Sequence, residues 1–192
     1  MISWLDKLDK TLFHFFNETL SNKLFDVFMP VITNQNYWVI PILILIYLLI
    51  AKGGKRGRIA AGILIISVAL TDIIAAQLIK PWVGRLRPSH TMVDSINLLM
   101  GKGGKFSFVS NHAANMFSAA TVLTYFYPNW KKMLYLIATI ISFSRVYVGV
   151  HYPGDVIFGG LFGFGMAWGV ISLWVLVKMR EIKKGRRWIF YE

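Results

Sequence analysis

The chain has 192 residues, of which 56% are hydrophobic, and it carries a formal net charge of +12. A mean hydropathy of +0.55 is too apolar for a typical soluble globule of this length, so the composition favours a membrane protein. Cysteine is absent, which excludes disulfides and thiolate metal sites. The basic residues fall between apolar runs and not on one soluble face, so the charge does not indicate binding to nucleic acid.

Residues 1–20 are predicted to form an amphipathic helix that lies in the membrane interface. Trp4 and Leu8 belong to an apolar stripe at helical spacing, whereas Asp6 and Asp9 fall on the opposite side. These aspartates also stand where a cleaved signal peptide would carry basic residues, and no small-residue cleavage site follows. A signal peptide is therefore not expected.

Residues 24–32 are predicted to form either a separate short helix or a bent extension of the first span, with Pro30 at the bend. No repeat, low-complexity tract or linker indicates a second domain. The chain is therefore expected to be one membrane domain with three parts: an interfacial helical segment at 1–33, a transmembrane core at 34–177 and a basic tail at 178–192.

Longer apolar segments follow at residues 37–51, 59–79, 113–127, 133–150 and 156–177. A helix needs about 20 residues to cross the hydrocarbon, so the first and third segments suffice only if their helices begin a turn or more earlier. Asn34 and Ser110 stand at those earlier positions. The predicted fold class is an all-α integral membrane protein, a bundle of about five to six transmembrane helices.

The positions of the basic residues predict the orientation, because short cytoplasmic loops retain Lys and Arg. With five spans, residues 52–58, residues 128–132 and the tail share one side, and they hold twelve of the 21 Lys and Arg residues. That side is predicted to face the cytoplasm. The loop at 80–109 and the turn at 151–155 would then face the outside.

The long loop opens with the motif KPWVGRLRP, residues 80–88. Lys80 and Arg87 are spaced so that both can reach one anion, and a guanidinium binds phosphate oxygens in pairs. The alternative is that these cations extend from a helix end to the membrane surface. Arg85, between them, is expected to contact either phosphate or lipid headgroups.

The third span begins at the motif SNHAAN, residues 110–115. A serine at this place is an ordinary N-cap, and an exposed helix N-terminus is also a natural site for an anion. Capping alone is the alternative role for Ser110 and His112. The sequence by itself leaves both roles open at this position.

The fourth span ends in SRVYVGVHYPGD, residues 144–155. Arg145 lies within the apolar run, where an arginine is costly and calls for a partner. Asp155 can cap the last helix, or it can accept a hydrogen bond from His151 and leave the other imidazole nitrogen free to attack. Together with the two earlier motifs, these residues place an unusual set of polar groups on one face of the membrane.

The three motifs together resemble the signature of the type 2 phosphatidic acid phosphatase superfamily. The first and third match in full: six residues separate Lys80 from Arg87-Pro88, five residues separate Ser144-Arg145 from His151, and three residues separate His151 from Asp155. The second motif keeps the serine and the histidine of the family's Pro-Ser-Gly-His. It departs from that pattern at Val109 and Asn111, which replace the proline and the glycine.

The resemblance implies a helical bundle shared with vanadium-dependent haloperoxidases, and metal-independent hydrolysis through a phosphohistidine, without a cofactor. His151 resembles the nucleophile, Asp155 its orienting partner and His112 the acid that protonates the leaving oxygen. The residues that resemble the phosphate-binding cradle are Lys80, Arg87, Ser110, Asn111 and Arg145. Fixed cations and amides of this kind stabilise the charge of phosphoryl transfer.

The substrate implied is a lipid phosphate or pyrophosphate at the outer leaflet, most of all lipid A 1-phosphate or undecaprenyl pyrophosphate. Phosphatidylglycerol phosphate and phosphatidic acid are the alternatives within the family. Two rivals lie outside this activity: a carrier that binds an anion or lipid phosphate without cleaving it, and an inactive scaffold. Nothing in the sequence selects the lipid or the oligomeric state.

Two further features concern the interior of the bundle. Asp72 lies within the second span, and we expect a structural carboxylate bonded inside the bundle, with a role in balancing the cationic site as the alternative. The last span contains two pairs of glycines four residues apart, which are suited to close helix contact. Both pairs, Gly159 with Gly163 and Gly165 with Gly169, are expected to pack within the bundle, with a dimer face as the alternative.

Overall fold

The computed structural model describes residues 3–92 and 95–186, and within these ranges the chain is helical apart from turns and one long loop. The only pairing of strand type there is a single bridge between Leu86 and Phe106. The helices are Ser3–His14 (α1), Lys23–Thr33 (α2), Gln35–Ala51 (α3), Gly54–Ile73 (α4), Lys80–Val83 (α5), Pro88–Thr91 (α6), Asn111–Phe126 (α7), Lys131–Tyr147 (α8) and Pro153–Lys183 (α9).

Two of the helices are long and apolar enough to cross a membrane on their own. A π-helical stretch joins α4 to α5, so Gly54–Val83 is one helix of 30 residues, and α9 has 31. Together α2 and α3 also pass this test, although they are bent by 52° relative to each other. The all-helical membrane fold agrees with the sequence analysis. The predicted count of five to six spans stays a prediction, because α7 and α8 have only 16 and 17 residues.

The bend between α2 and α3 lies at Asn34 and not at Pro30, where the sequence analysis placed it. Pro30 lies inside α2, and its carbonyl oxygen still accepts a hydrogen bond from the Asn34 backbone N–H, at 3.1 Å. Asn34 has an extended backbone, and its side chain accepts from the Asn36 backbone N–H at 3.1 Å, which caps α3. A proline removes one donor, whereas a capping asparagine ends one helix and starts the next.

The helices start where the caps predict. Asn34 caps α3 and Ser110 caps α7, so both short segments gain the extra residues that the sequence analysis required. At the other end of the chain, α9 continues to Lys183, so the predicted tail begins as helix. Residues 187–192 of that tail lie outside the described part of the chain.

Helix α7 is the centre of the bundle and packs against α4, α8 and α9. Its second half joins the largest apolar cluster, in which Val122 and Phe126 contact residues of α4 and α9. Near that end, the Arg56 guanidinium lies over the Tyr127 ring, 4.6 Å from its centroid. The basic first turn of α4 therefore lies beside the turn between α7 and α8. The polar motifs lie at the other end of α7.

The close approach of α7 and α9 explains one of the two glycine pairs. A Cβ atom at Gly159 would lie 2.7 Å from the Ser110 carbonyl oxygen, and one at Gly163 would overlap the Ala114 carbonyl group. Gly165 and Gly169 are exposed, with no such neighbour within 4 Å. The prediction that the second pair packs within the bundle is therefore wrong. A step of two residues turns a helix by about 200°, which points Gly165 away from α7.

Replacement of Gly163 by alanine should destabilise the protein, because the new methyl group would overlap backbone atoms of α7 that cannot rotate away. Overpacking of this kind costs about 1–3 kcal/mol, which should appear as a lower melting temperature in detergent. The matched control is Gly165→Ala on the same helix, which meets open space. We expect this variant to melt at or slightly above the wild-type temperature, and equal losses in both variants would contradict the packing described.

Candidate active site

The third motif forms a tight turn between α8 and α9. The His151 backbone N–H donates to the Arg145 carbonyl oxygen at 3.2 Å, which folds the turn back onto the end of α8. His151 is only 1% exposed, and its Nδ1 lies 3.4 Å from Asp155 Oδ2. The same Oδ2 accepts the Tyr152 backbone N–H at 2.9 Å. Asp155 thus caps α9 and faces His151 at the same time, so the two roles that the sequence offered are combined.

The surroundings of His151 favour its neutral form. Burial lowers the pKa of this imidazole well below its usual value, and the positive charges of Arg87 and Arg145 lower it further. A neutral imidazole that donates Nδ1–H to Asp155 keeps the lone pair of Nε2 free. Such a nitrogen can act as a nucleophile.

Arg145 lies at the end of α8 and is 8% exposed. Its Nη1 donates to the Thr33 hydroxyl oxygen at 2.8 Å, which ties the guanidinium to the end of α2. Its Nε is buried and has no hydrogen-bond partner among the described residues. An unsatisfied buried donor costs about 1–3 kcal/mol, and a charged donor costs more. An anionic ligand next to Arg145 would remove that cost.

The first motif holds the loop that leads into α7. Lys80 Nζ donates to the carbonyl oxygens of Phe106, Ser107 and Val109, at 3.3, 3.1 and 2.7 Å. Arg87 Nε donates to the Phe106 carbonyl as well, at 3.1 Å. The two cations therefore meet at one neutral backbone oxygen, and neither forms a close ion pair with a carboxylate of the described residues. The structure brings together the pair that the sequence assigned to one anion.

The second motif joins the other two. Ser110 caps α7, since its Oγ faces the Ala113 backbone N–H at 3.5 Å, and its own backbone N–H donates to the Asp155 carbonyl oxygen at 3.0 Å. His112 follows in the first turn of α7 and is partly buried. The N-terminus of α7, which favours anions, thus lies against the turn that carries His151.

Asn111 departs from the family pattern, and its side chain has a specific partner. Its amide nitrogen and that of Asn115 each donate to Asp72 Oδ1 at 2.8 Å. Asp72 is therefore bonded inside the bundle, as the sequence favoured, and it links α4 to α7. Binding of phosphate by Asn111 stays a prediction, and its amide N–H group is directed to Asp72.

Arg85 is directed towards carboxylates inside the protein, and its contact with phosphate or lipid headgroups stays a prediction. Its Nη1 lies 2.9 Å from Asp155 Oδ1 and 2.7 Å from Asp9 Oδ2, and its guanidinium lies over the Tyr152 ring at 4.0 Å. Burial alone would lower the pKa of Arg85, but the carboxylates of Asp155 and Asp9 outweigh burial and raise it. Sequence analysis missed this contact because Asp9 lies far from Arg85 along the chain.

The groups that surround His151 define what the site can do. The positive charges of Arg87, Arg145 and Lys80 lower the pKa of His151, and His112 lowers it as well. A neutral imidazole among three positive charges suits phosphoryl transfer, in which negative charge is spread over the three outer oxygens of the phosphoryl group. A second histidine beside the N-terminus of α7 can exchange a proton with the leaving group.

Comparison with known proteins agrees with this arrangement. A model of the PAP2 superfamily matches residues 60–179. The lipid A 4'-phosphatase of Bacteroides thetaiotaomicron is 33% identical over 178 residues, which cover 88% of this chain and 77% of that protein. The lipid A 4'-phosphatase of Porphyromonas gingivalis is 27% identical over 93% of this chain and 78% of its own.

Solved structures give the same fold. The crystal structure of Aquifex aeolicus LpxE aligns with a TM-score of 0.69 and 29% identity, covering 86% of this chain and 95% of that one. A phosphatidylglycerolphosphate phosphatase from Bacillus subtilis aligns with a TM-score of 0.65 at 22% identity, over 88% of this chain and 85% of its own. The motifs lie together at one end of the bundle, and the family model matches residues 60–179. The chain therefore belongs to the PAP2 superfamily.

Proposed function

We propose that the protein removes phosphate from a membrane lipid through a phosphohistidine at His151, without a metal. The observation that carries this proposal is the environment of His151: a buried, neutral imidazole has Asp155 on one nitrogen and positive charge around it. A carrier that only binds an anion needs the cations but has no use for an oriented histidine. The lone pair at Nε2 makes hydrolysis the better explanation.

The reaction proceeds in two balanced steps. His151 Nε2 attacks phosphorus, the bond from phosphorus to the lipid oxygen breaks, and His112 gives that oxygen a proton. His112 then takes a proton from water, whose oxygen attacks phosphorus, so the phosphorus–nitrogen bond breaks and phosphate leaves with His151 neutral again. Arg145, Lys80 and Arg87 hold the three outer oxygens throughout.

The proposed substrate is a phosphate group of lipid A. Support comes from two relatives that match along most of this chain and are lipid A 4'-phosphatases. The sequence analysis favoured the 1-phosphate, and both positions are therefore tested below. Undecaprenyl pyrophosphate is the second candidate, since an undecaprenyl-diphosphatase of Sulfolobus acidocaldarius is 38% identical over 57% of this chain and 52% of its own.

We place the site at the outer face of the bacterial inner membrane. The motif residues lie at one end of α7, and the basic turn of Arg56 and the Tyr127 turn lie at the other. Because positive loops are retained in the cytoplasm, the motif end should face outwards. A phosphate-binding site at helix ends is also at the depth of lipid headgroups, so the hydrocarbon chains can stay in the bilayer.

Phosphate release from purified protein in detergent, with a chelator present, tests this function. The panel contains lipid A with a phosphate at only the 1 or only the 4' position, undecaprenyl pyrophosphate, phosphatidylglycerol phosphate and phosphatidic acid. We expect turnover with one of the lipid A forms at the highest kcat/KM, unchanged by the chelator. No release from any lipid would leave a carrier or an inactive scaffold, and loss of activity with chelator would contradict the metal-free mechanism.

A further inference from the structure

The N-terminal helix α1 makes polar contacts with the turn that carries the nucleophile. Asp9 Oδ1 accepts the Gly154 backbone N–H at 2.7 Å, one residue before Asp155. Its other oxygen, Oδ2, lies 2.7 Å from Arg85 Nη1. The Asp9 side chain is 12% exposed. An aspartate that the sequence assigned to the polar face of an interfacial helix is therefore directed into the protein.

Arg85 connects Asp9 to the catalytic carboxylate. The same Nη1 that faces Asp9 also lies 2.9 Å from Asp155 Oδ1, and the guanidinium is 9% exposed. Asp155 is fully buried, so its charge depends on these partners. Because Asp9 and Asp155 share one nitrogen of Arg85, the strength and direction of the contact to Asp155 depend on Asp9.

The position of α1 is fixed by contacts on both sides of Asp9. Phe13 is fully buried, and its ring meets the Tyr152 ring edge-on, with centroids 5.5 Å apart. Asn17 is fully buried too, and its amide donates to the carbonyl oxygens of Tyr147 and Asn97, at 2.6 and 2.8 Å. These contacts hold Asp9 against the turn.

We propose that Asp9 is a positioning residue for the reaction, which acts through Arg85 and Gly154 on the orientation of the Asp155–His151 pair. The proposal rests on the proposed role of His151 as the nucleophile. Asp9 lies outside residues 60–179, the part of the chain that matches the family. In this proposal the N-terminal segment therefore contributes a residue to the active site.

The charge of Asp9 matters because the imidazole becomes cationic when His151 takes the phosphoryl group. Without that carboxylate, Arg85 would retain Asp155 and only a weaker contact to Asp6 Oδ1, at 3.4 Å. The guanidinium would draw Asp155 towards itself, and the local charge would become more positive by one unit. Both changes oppose the transition state. The cradle formed by Lys80, Arg87 and Arg145 does not contact Asp9, so binding of substrate should be preserved.

The test compares Asp9→Asn, Asp9→Glu and Asp6→Asn in the full-length protein. We expect Asp9→Asn to lower kcat by about 10- to 100-fold, the scale of a small misplacement of reacting groups, with KM within about threefold. Asp9→Glu should restore most of kcat, because it returns the charge. Asp6→Asn is the matched control: it removes the same charge from the same helix, but its short contact is to the exposed Lys10 at 2.7 Å, its contact to Arg85 is longer at 3.4 Å, and the Gly154 backbone N–H is bonded to Asp9. It should retain kcat within about twofold.

A second measurement does not depend on turnover. The protein has four histidines, so ¹⁵N-histidine labelling resolves the ring nitrogens of His151. The Nδ1 resonance should move in Asp9→Asn and stay in place in Asp6→Asn. Wild-type kcat in Asp9→Asn, equal losses in both asparagine variants, or an unmoved resonance would each overturn the proposal. A moved resonance in a protein that hydrolyses no lipid phosphate would contradict the proposed function and leave the positioning role intact.

Discussion

Replacement of His151 by alanine is expected to lower kcat by at least about 10⁴-fold on the best lipid substrate, because removal of a nucleophile removes the covalent route itself. The alanine also leaves a small space where the imidazole was fully packed, so folding must be verified. Phosphate release gives kcat, and the melting temperature in detergent shows that the variant is folded.

The intermediate can be observed directly in the same experiment. Wild-type protein mixed with substrate labelled at the phosphate should retain label after an alkaline quench, in which a phosphohistidine survives. The His151→Ala variant should retain none. His90→Ala is the control, because His90 is exposed and its side chain lies beside that of the neighbouring Ser89. Full turnover in His151→Ala would show that another residue is the nucleophile.

Replacement of Arg145 by alanine should lower kcat/KM by about 10²- to 10³-fold, as removal of one well-placed donor from a developing negative charge does. Arg145 is buried, holds Thr33 through Nη1, and keeps its Nε without a partner among the described residues. Lysine at this position keeps the charge but loses the planar fork that binds two phosphate oxygens. We therefore expect Arg145→Lys to recover only a part of the loss.

A matched control for Arg145 lies on the same helix. Lys132 is exposed near the start of α8, at the end opposite the site, so Lys132→Ala removes one positive charge without touching the cradle. It should retain kcat/KM within about twofold. Thr33→Val tests the support of the guanidinium, and we expect a loss smaller than that of Arg145→Ala. Activity near the wild-type level in Arg145→Ala would remove this residue from the phosphate cradle.

Local patterns predicted the helices well, because the signals that set them lie within a few residues. Apolar runs gave the long helices, and Asn34 and Ser110 marked helix starts through side chains that cap the next turn. Pro30 misled for the opposite reason. Helix α2 accommodates Pro30 in its interior, and the capping Asn34 decided where the chain turned.

The chemical types of the site residues were also readable from spacing. Lys80 and Arg87 were assigned to one anion, and the structure brings them to one carbonyl oxygen. His151 and Asp155 were paired by four residues of separation, and they face each other at 3.4 Å. The residues of each pair lie close together because each pair belongs to one short motif, whose geometry the local backbone fixes, and their roles in the reaction stay predictions.

The sequence by itself determined an all-helical membrane protein and the polar residues of its three motifs, since periodicity and spacing express local geometry. Tertiary structure alone decided the partners that are distant along the chain: Arg85 with Asp9, Arg145 with Thr33, and Asn111 with Asp72. The physical reason is that such contacts depend on how helices pack, which no single segment encodes. The same packing turned Gly163 towards α7 and Gly165 away from it.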